Sequence, residues 1–270
     1  GMVLHSVSSA RPGVYVQQLL CTLHESLQLP LFIRAWEQVI ERHPILRTTF
    51  CWEGIETPLQ YVHRQLPLAW ELHDWRGYLP DVIAERLHRY LQTDRQRGFD
   101  LCTGPLMRLA LMRCDEGDYR CVWTYHHALL DGRSRLQVTK EVFALYDAAC
   151  QGQATQLPPI RPYRDYIAWL QQQDITKAEA FWRERLSGFH SSTPFVIDSQ
   201  SETASEYIQG NEEQELILTE DFTATVHKFV QEHGLTVNTV LQGVWALLLS
   251  RYSGEDDIVF GATRACRRST

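Results

Sequence analysis

Two apolar segments joined by a short turn constrain the fold of this chain more than any other feature. Pro105 to Arg113 and Tyr119 to His127 are both rich in apolar residues, and residues 115–118 between them are typical turn formers. The pattern predicts two antiparallel strands. Gly132 then leads into an amphipathic helix predicted over residues 133–150. A strand pair that runs directly into a helix indicates an α/β fold, in which helices pack against a sheet.

The remaining segments alternate in the same way. Strands are predicted at 14–23, 46–52, 214–219 and 257–263. Helices are predicted from Pro30 to His43 and over 79–91, 163–173, 175–186, 220–233 and 236–252. The stretch 187–213 is rich in Ser, Thr, Glu and Gln without a clear periodicity, so we expect a surface loop or linker near a lobe boundary. The alternation indicates an α/β sandwich in two lobes.

Charge and cysteine usage exclude several classes of function. The formal net charge is -7, from 26 basic and 33 acidic residues, and this argues against a nucleic-acid partner. Seven cysteines are scattered without a C-x-x-C pair, which favours a reduced cytoplasmic protein over a disulfide scaffold or a metal site. The longest apolar run, Val244 to Leu249, is far too short to span a bilayer. We therefore expect a cytoplasmic chain with no metal and no membrane partner.

The second strand of the predicted pair ends in His126-His127-Ala128-Leu129-Leu130-Asp131-Gly132, a match to H-H-x-x-x-D-G. This segment resembles the active-site signature of condensation domains of nonribosomal peptide synthetases and of their relatives shaped like chloramphenicol acetyltransferase. Further segments resemble the family in the same order, and together they cover nearly the whole chain apart from 187–213. They are Arg42 to Phe50, Phe99 to Leu106, Pro162 to Tyr166 and Asn238 to Gly261.

The resemblance implies a two-lobe α/β sandwich like that of chloramphenicol acetyltransferase. Residues 1–173 would form the N-terminal lobe that carries the motif. Residues 174–270 would form the crossing helix and the start of the C-terminal lobe. By the same resemblance the chain is truncated at both ends, and the second lobe is incomplete.

The resemblance also implies a reaction. A condensation domain forms an amide bond between an acyl or peptidyl thioester and an aminoacyl thioester, and both substrates are held on phosphopantetheine arms. The implied partners are an upstream and a downstream peptidyl carrier protein and an adjacent adenylation domain. No cofactor is expected to bind the chain directly.

The chemistry requires a proton acceptor for the attacking amine and a partner for the oxyanion. Histidine, with a reference pKa near ~6.5, can accept a proton at neutral pH. Alternation along a strand places His126 and His127 on opposite faces. The resemblance implies that His127 faces the substrate tunnel, while His126 supports the strand from behind. Gly132 begins the next helix, where backbone N–H groups suit a developing oxyanion.

Three roles are open for Asp131. It could cap the helix that follows, since aspartate is a preferred N-cap residue. The resemblance implies instead an ion pair with an arginine that supports the shape of the site, and Arg47 is the candidate. A role as catalytic acid is the third, and least favoured, interpretation.

Other functions within and outside the family remain open. An epimerisation domain carries the same H-H-x-x-x-D-G signature. A heterocyclisation domain is disfavoured, because that branch has an aspartate-rich signature in place of the first histidine. A catalytically silent relative that recruits partner proteins, or a free-standing acyltransferase that uses coenzyme A, is a further alternative.

Overall fold

The computed structural model describes residues 2–8, 13–190, 192–193 and 215–263. The helices are α1 (Met2–Ser8), α2 (Leu29–Arg42), α3 (Pro80–Arg97), α4 (Gly132–Cys150), α5 (Tyr163–Gln171), α6 (Ile175–Arg185), α7 (Glu220–Glu232) and α8 (Val237–Ser253). The strands are β1 (Val16–Leu23), β2 (Thr48–Cys51), β3 (Leu59–Val62), β4 (Ala69–Asp74), β5 (Met107–Asp115) and β6 (Asp118–His126). A 3₁₀ turn, Pro44–Arg47, separates α2 from β2.

The main sheet has four strands in the order β1-β6-β5-β4. Strands β5 and β6 pair antiparallel and close at Asp115 and Asp118, so the predicted strand pair is confirmed. Strand β1 pairs antiparallel with β6, and β4 pairs parallel with β5. Strands β2 and β3 form a separate two-stranded sheet. Strand β6 ends at His126, one residue before the predicted end, so His127 lies just outside the sheet.

The β5–β6 pair is buried on both faces, because side chains of successive residues point to opposite sides. On one face, residues such as Leu109 and Trp123 belong to the core that includes the apolar stripes of α2 and α4. On the other face, Met112 and Val122 belong to a second cluster, against which side chains of α3 pack. Burial on both faces explains why these two strands are nearly continuous apolar runs.

A buried ion pair ties α3 to the main sheet. The Asp94 carboxylate on α3 accepts a hydrogen bond from Arg108 Nε of β5, and both side chains are almost fully buried. The same carboxylate accepts from Thr124 Oγ1 of β6 at 2.5 Å and from Gln18 Nε2 of β1 at 2.9 Å. One carboxylate therefore contacts three neighbouring strands, and its charge is compensated where water is excluded.

A second buried carboxylate joins α2 to α4. Glu141 of α4 accepts from Arg42 Nε at 3.0 Å, His43 Nε2 at 2.7 Å and Gln137 Nε2 at 2.7 Å. Burial alone would raise the pKa of Glu141. The hydrogen bonds from Gln137 and His43, together with the charges of His43 and Arg42, outweigh that effect and lower the pKa.

The chain divides into two compact units, Gly1–Gln173 and Asp174–Thr270. The main sheet lies in the first unit. That these units are the two lobes of the expected sandwich stays a prediction. Most of the expected loop at 187–213 lies outside the described residues. Within the described parts of the chain, no helix is long and apolar enough to cross a membrane.

Two predicted strands in the second unit are wrong. Residues 215–219 and 257–263 belong to no helix or strand, and Gln214 lies outside the described residues. A strand exists only where a neighbour supplies the ladder of hydrogen bonds, and alternating apolar residues cannot supply it alone. Helix α8 is present as predicted. Two of its large apolar side chains are nevertheless exposed to solvent, Trp245 by 43% and Leu247 by 67%.

We predict that Asp94→Ala lowers the free energy of unfolding by about 3–5 kcal/mol, because it leaves the Arg108 guanidinium buried without its counter-charge. Urea denaturation followed by tryptophan fluorescence measures the change. Glu85→Ala is the matched control. It breaks an ion pair on the same helix, with Arg89, in which both side chains are 70% exposed. The control should unfold like the parent, and a loss of equal size in both variants would contradict the prediction.

Candidate active site

The two histidines of the motif lie where β6 ends. His126 is the last residue of the strand, pairs with Val16 of β1, and is 2% exposed. His127 follows the strand, is partly exposed, and donates its backbone N–H to the carbonyl oxygen of Tyr15 at 2.8 Å. The chain then turns sharply, since Leu129 N–H donates to His126 O at 3.0 Å. The turn places the two imidazole rings in different surroundings.

The hydrogen bonds of His126 define its tautomer. Its Nδ1 accepts from the backbone N–H of Ala128 at 3.1 Å, so the ring proton is on Nε2. Nε2 lies 3.1 Å from Ser6 Oγ, and the Ser6 hydroxyl donates to Met2 O at 2.9 Å. Burial, with a smaller contribution from His127, lowers the pKa of His126 to about 4. His126 is therefore a neutral ring whose two nitrogens are both engaged.

His127 has the opposite tautomer. Its Nδ1 lies 2.7 Å from the carbonyl oxygen of Leu130. A carbonyl can only accept, so the proton of the neutral ring is on Nδ1 and the lone pair is on Nε2. This arrangement presents a proton acceptor whose orientation is fixed from behind by the backbone of its own turn.

Asp131 and Gly132 form the start of α4. Asp131 is the N-cap residue, and its Oδ1 accepts from Ser134 N–H at 2.8 Å. The capping role, one of the three considered, is thus present. Gly132 is the first helical residue and is exposed. The Ser134 N–H already donates to Asp131. An oxyanion at this helix end could therefore accept hydrogen bonds only from the N–H groups that precede Ser134.

The predicted ion pair between Arg47 and Asp131 stays a prediction. The guanidinium of Arg47 donates to four backbone carbonyls. They are Ile40 O at 3.0 Å, Glu41 O at 3.1 Å, Arg64 O at 3.1 Å and His63 O. Ile40 and Glu41 lie in the last turn of α2, where carbonyls lack helical partners and attract a cation. Arg47 therefore holds the end of α2 against the chain that follows β3.

Two residues beside the histidines were missed from the sequence. Ser6 contacts the His126 ring, and Tyr15 accepts from His127 N–H with a left-handed backbone, φ +64°. Gly13 starts this bend at φ +77°, and a Cβ there would lie 2.7 Å from Arg95 O. Glycine tolerates both conditions, whereas a left-handed tyrosine is costly and is commonly found near functional sites. The Gly13 turn was the one signal present in the sequence.

A cavity of about 480 Å³ adjoins His126 rather than His127. Its wall is formed by parts of α1, by the segment that leads into β1, by Trp52, and by residues 96–101 at and after the end of α3. Ser6, Arg97 and Asp100 contribute polar groups to its wall. The described residues contain no cluster of three or more His, Cys, Asp or Glu side chains suited to a metal ion.

Comparisons with known proteins agree on one family. The family model described as "Condensation domain" matches residues 1–270. The chain is 43% identical over 267 residues to a linear gramicidin synthase of Brevibacillus parabrevis, a match that covers 99% of the chain but only 3% of that relative's length. It is 31% identical over 269 residues to bacitracin synthase 1 of Bacillus licheniformis, of which it covers 5%. The chain thus spans a small part of the curated relatives that it matches.

Solved structures share the fold. The starter condensation domain of rhizomide synthetase RzmA has a TM-score of 0.70 at 17% identity, over 99% of this chain and 60% of that chain. The X-domain in complex with OxyB from teicoplanin biosynthesis has a TM-score of 0.67 at 22% identity, over 92% of this chain and 55% of that chain. These likenesses confirm the predicted α/β fold class.

The buried, neutral His126 predicts a dependence of stability on pH. The pKa of His126 is about 4 in the folded chain, which lies below the value of about 6.5 for histidine in an unfolded chain. Between these values the unfolded chain binds a proton that the folded chain does not. Stability is therefore lost as the pH falls from about 6.5 to about 4, by at most about 3 kcal/mol. His126→Gln cannot titrate at this position, so the parent's free energy of unfolding should fall relative to that of His126→Gln over this pH range. Urea denaturation measures both proteins, and a difference that stays constant with pH would contradict the assignment.

The helix cap predicts a graded pair of variants at Asp131. Asp131→Ala should lower the free energy of unfolding by about 0.5–2 kcal/mol, because the N–H of Ser134 loses its acceptor. Asp131→Asn keeps an equally good capping oxygen and should retain most of the stability. Thermal and urea unfolding of both variants measure the difference. Equal losses in the two would show that the carboxylate charge, rather than the cap, stabilises this turn.

Proposed function

The chain belongs to the condensation-domain family, and from that premise we propose that it forms an amide bond between two substrates held on carrier proteins. The acyl or peptidyl thioester is the donor, and the amine of an aminoacyl thioester is the acceptor. Both arrive on phosphopantetheine arms, one from an upstream and one from a downstream carrier protein, and an adjacent adenylation domain loads the acceptor. The setting is a cytoplasmic synthetase. No cofactor of the chain itself takes part.

The observation that carries this proposal is the tautomer of His127. Its Nδ1–H donates to Leu130 O, so Nε2 presents a lone pair at a partly exposed position. In the proposed step the amine nitrogen bonds to the thioester carbonyl carbon, and its proton passes to Nε2. The resulting oxyanion collapses, the carbon–sulfur bond breaks, and the departing thiolate takes the proton from Nε2, which returns His127 to its neutral form. The products are an amide and a free phosphopantetheine thiol.

His126 is unsuited to that proton transfer. Its Nδ1 already accepts from Ala128, its Nε2 carries the ring proton, and burial lowers its pKa to about 4. We therefore assign His127 as the proton acceptor, His126 as support for the turn, Asp131 as the cap of α4, and Gly132 as the opening of that helix. Arg47 supports the site indirectly, through the end of α2.

Two alternatives have specific support. Epimerisation also needs a positioned proton acceptor, and His127 would serve it equally. A partner-recruiting role is supported by the likeness to the X-domain, which was solved in complex with OxyB. An oriented Nε2 that has no hydrogen-bond partner among the described residues has no use in recruitment, so the geometry favours catalysis over that role.

We predict that His127→Ala lowers the single-turnover rate of amide formation by about 10²–10⁴-fold in the full-length protein with two loaded carrier proteins. Intact-mass spectrometry of the carriers measures product, and circular dichroism checks folding. His24→Ala is the matched control, since the His24 side chain is 76% exposed and its contact is a surface pair with Asp118. The control should react at the parent rate. Near-parental product from folded His127→Ala would refute the assignment and favour recruitment.

The same assay separates condensation from epimerisation. Run in D₂O with the acceptor carrier omitted, an epimerising protein would exchange the Cα proton of the bound aminoacyl group and add one mass unit. A condensing protein should show no exchange that depends on His127, and should form amide only when both carriers are present.

A further inference from the structure

Helix α1 contacts His126 and Tyr15, the two residues that adjoin His127 in the sequence and through a backbone hydrogen bond. Ser6 Oγ lies 3.1 Å from His126 Nε2, and His5 Nδ1 lies 3.0 Å from the hydroxyl of Tyr15. The carbonyl of Tyr15 in turn accepts the backbone N–H of His127. Two neighbouring residues of one short helix therefore reach both histidines of the motif, one directly and one through Tyr15.

The direction of each hydrogen bond around Ser6 follows from two independent constraints. The Ser6 hydroxyl proton points to Met2 O at 2.9 Å, so Ser6 Oγ is free to accept. His126 Nδ1 accepts from Ala128 N–H, so the ring proton is on Nε2 and is directed at Ser6. A chain of three bonds, all running the same way, connects the backbone of the turn to the backbone of α1.

We infer that Ser6 is a positioning residue: its hydroxyl oxygen accepts His126 Nε2–H and thereby keeps Nδ1 available to the backbone N–H of Ala128. Loss of that oxygen leaves the Nε2 proton at a buried position without an acceptor. Moving the proton to Nδ1 would set it against the N–H of Ala128, donor against donor, so either tautomer of the ring lacks one of its two hydrogen bonds and the preference for Nε2–H is weakened. The turn must shift, and His127, which lies between His126 and Ala128, shifts with it.

This inference rests on the proposed function only for its effect on rate, because the tautomer is measurable without turnover. Imidazole ¹⁵N shifts distinguish the two tautomers, and selective histidine labelling of the 270-residue chain makes the rings observable. The parent should show His126 as the Nε2–H form. Ser6→Ala should convert His126 partly or wholly to the Nδ1–H form, while Ser6→Thr, which keeps a hydroxyl, should resemble the parent.

The rate experiment uses the full-length protein and the two-carrier assay. We expect Ser6→Ala to lower kcat by roughly 10- to 100-fold with little change in KM, because a small misplacement of a catalytic group has that effect. Ser6→Thr should restore most of the rate. Ser8→Ala is the matched control, since Ser8 is an exposed serine of the same helix whose hydroxyl contacts His5 O.

A double-mutant cycle completes the test. Ser6 acts through His126, so Ser6→Ala should cost little further rate in a His126→Ala background. Additive losses, a parental tautomer in Ser6→Ala, or a Ser6→Thr variant as slow as Ser6→Ala would each overturn the inference. If the parent forms no amide, the proposed function fails, and the ¹⁵N measurement alone decides the role of Ser6.

Discussion

Burial of the β5–β6 pair on both faces is the constraint on which the rest of the structure depends. Because both faces are covered by helices, each side chain of β6 must suit one of two dry environments. Trp123 lies on the face of α2 and α4, and Thr124 lies on the face of α3, next to Asp94. His126 continues the second face, so its ring enters the interior, where a charge is disfavoured.

The two buried carboxylates show how the helices are attached to this sheet. Asp94 binds groups from three strands, and Glu141 binds groups from α2 and from its own helix. Each carboxylate accepts several hydrogen bonds, which offsets the cost of removing its charge from water. These contacts require particular partners at particular distances, so they fix the register of α3 and α4 more narrowly than apolar packing does. Since α4 begins at Gly132, its position also sets where the turn that follows β6 must end.

The contrast between the two histidines follows from a single residue step. His126 is still in the strand and is buried, neutral and bonded at both nitrogens. His127 has left the sheet, and its Nδ1–H is bound by Leu130 O of the same turn, which leaves the ring lone pair on Nε2. One ring therefore builds the turn that orients the other. In the proposed reaction, support from α1 through Ser6 belongs to the same arrangement.

The sequence by itself determined the strand pair, the helix after it and the order of family segments, because these depend on local periodicity and on residue types at short spacing. It also predicted that His126 and His127 face differently, although the reason is that the strand ends between them rather than alternation along it. Tertiary structure alone decided that the Arg47 guanidinium binds four backbone carbonyls, that residues 215–219 and 257–263 are not strands, and which nitrogen of each ring holds the proton. Each of these depends on where the folded backbone places a hydrogen-bond partner, whether in the same turn or in another element, and periodicity carries no information about such partners.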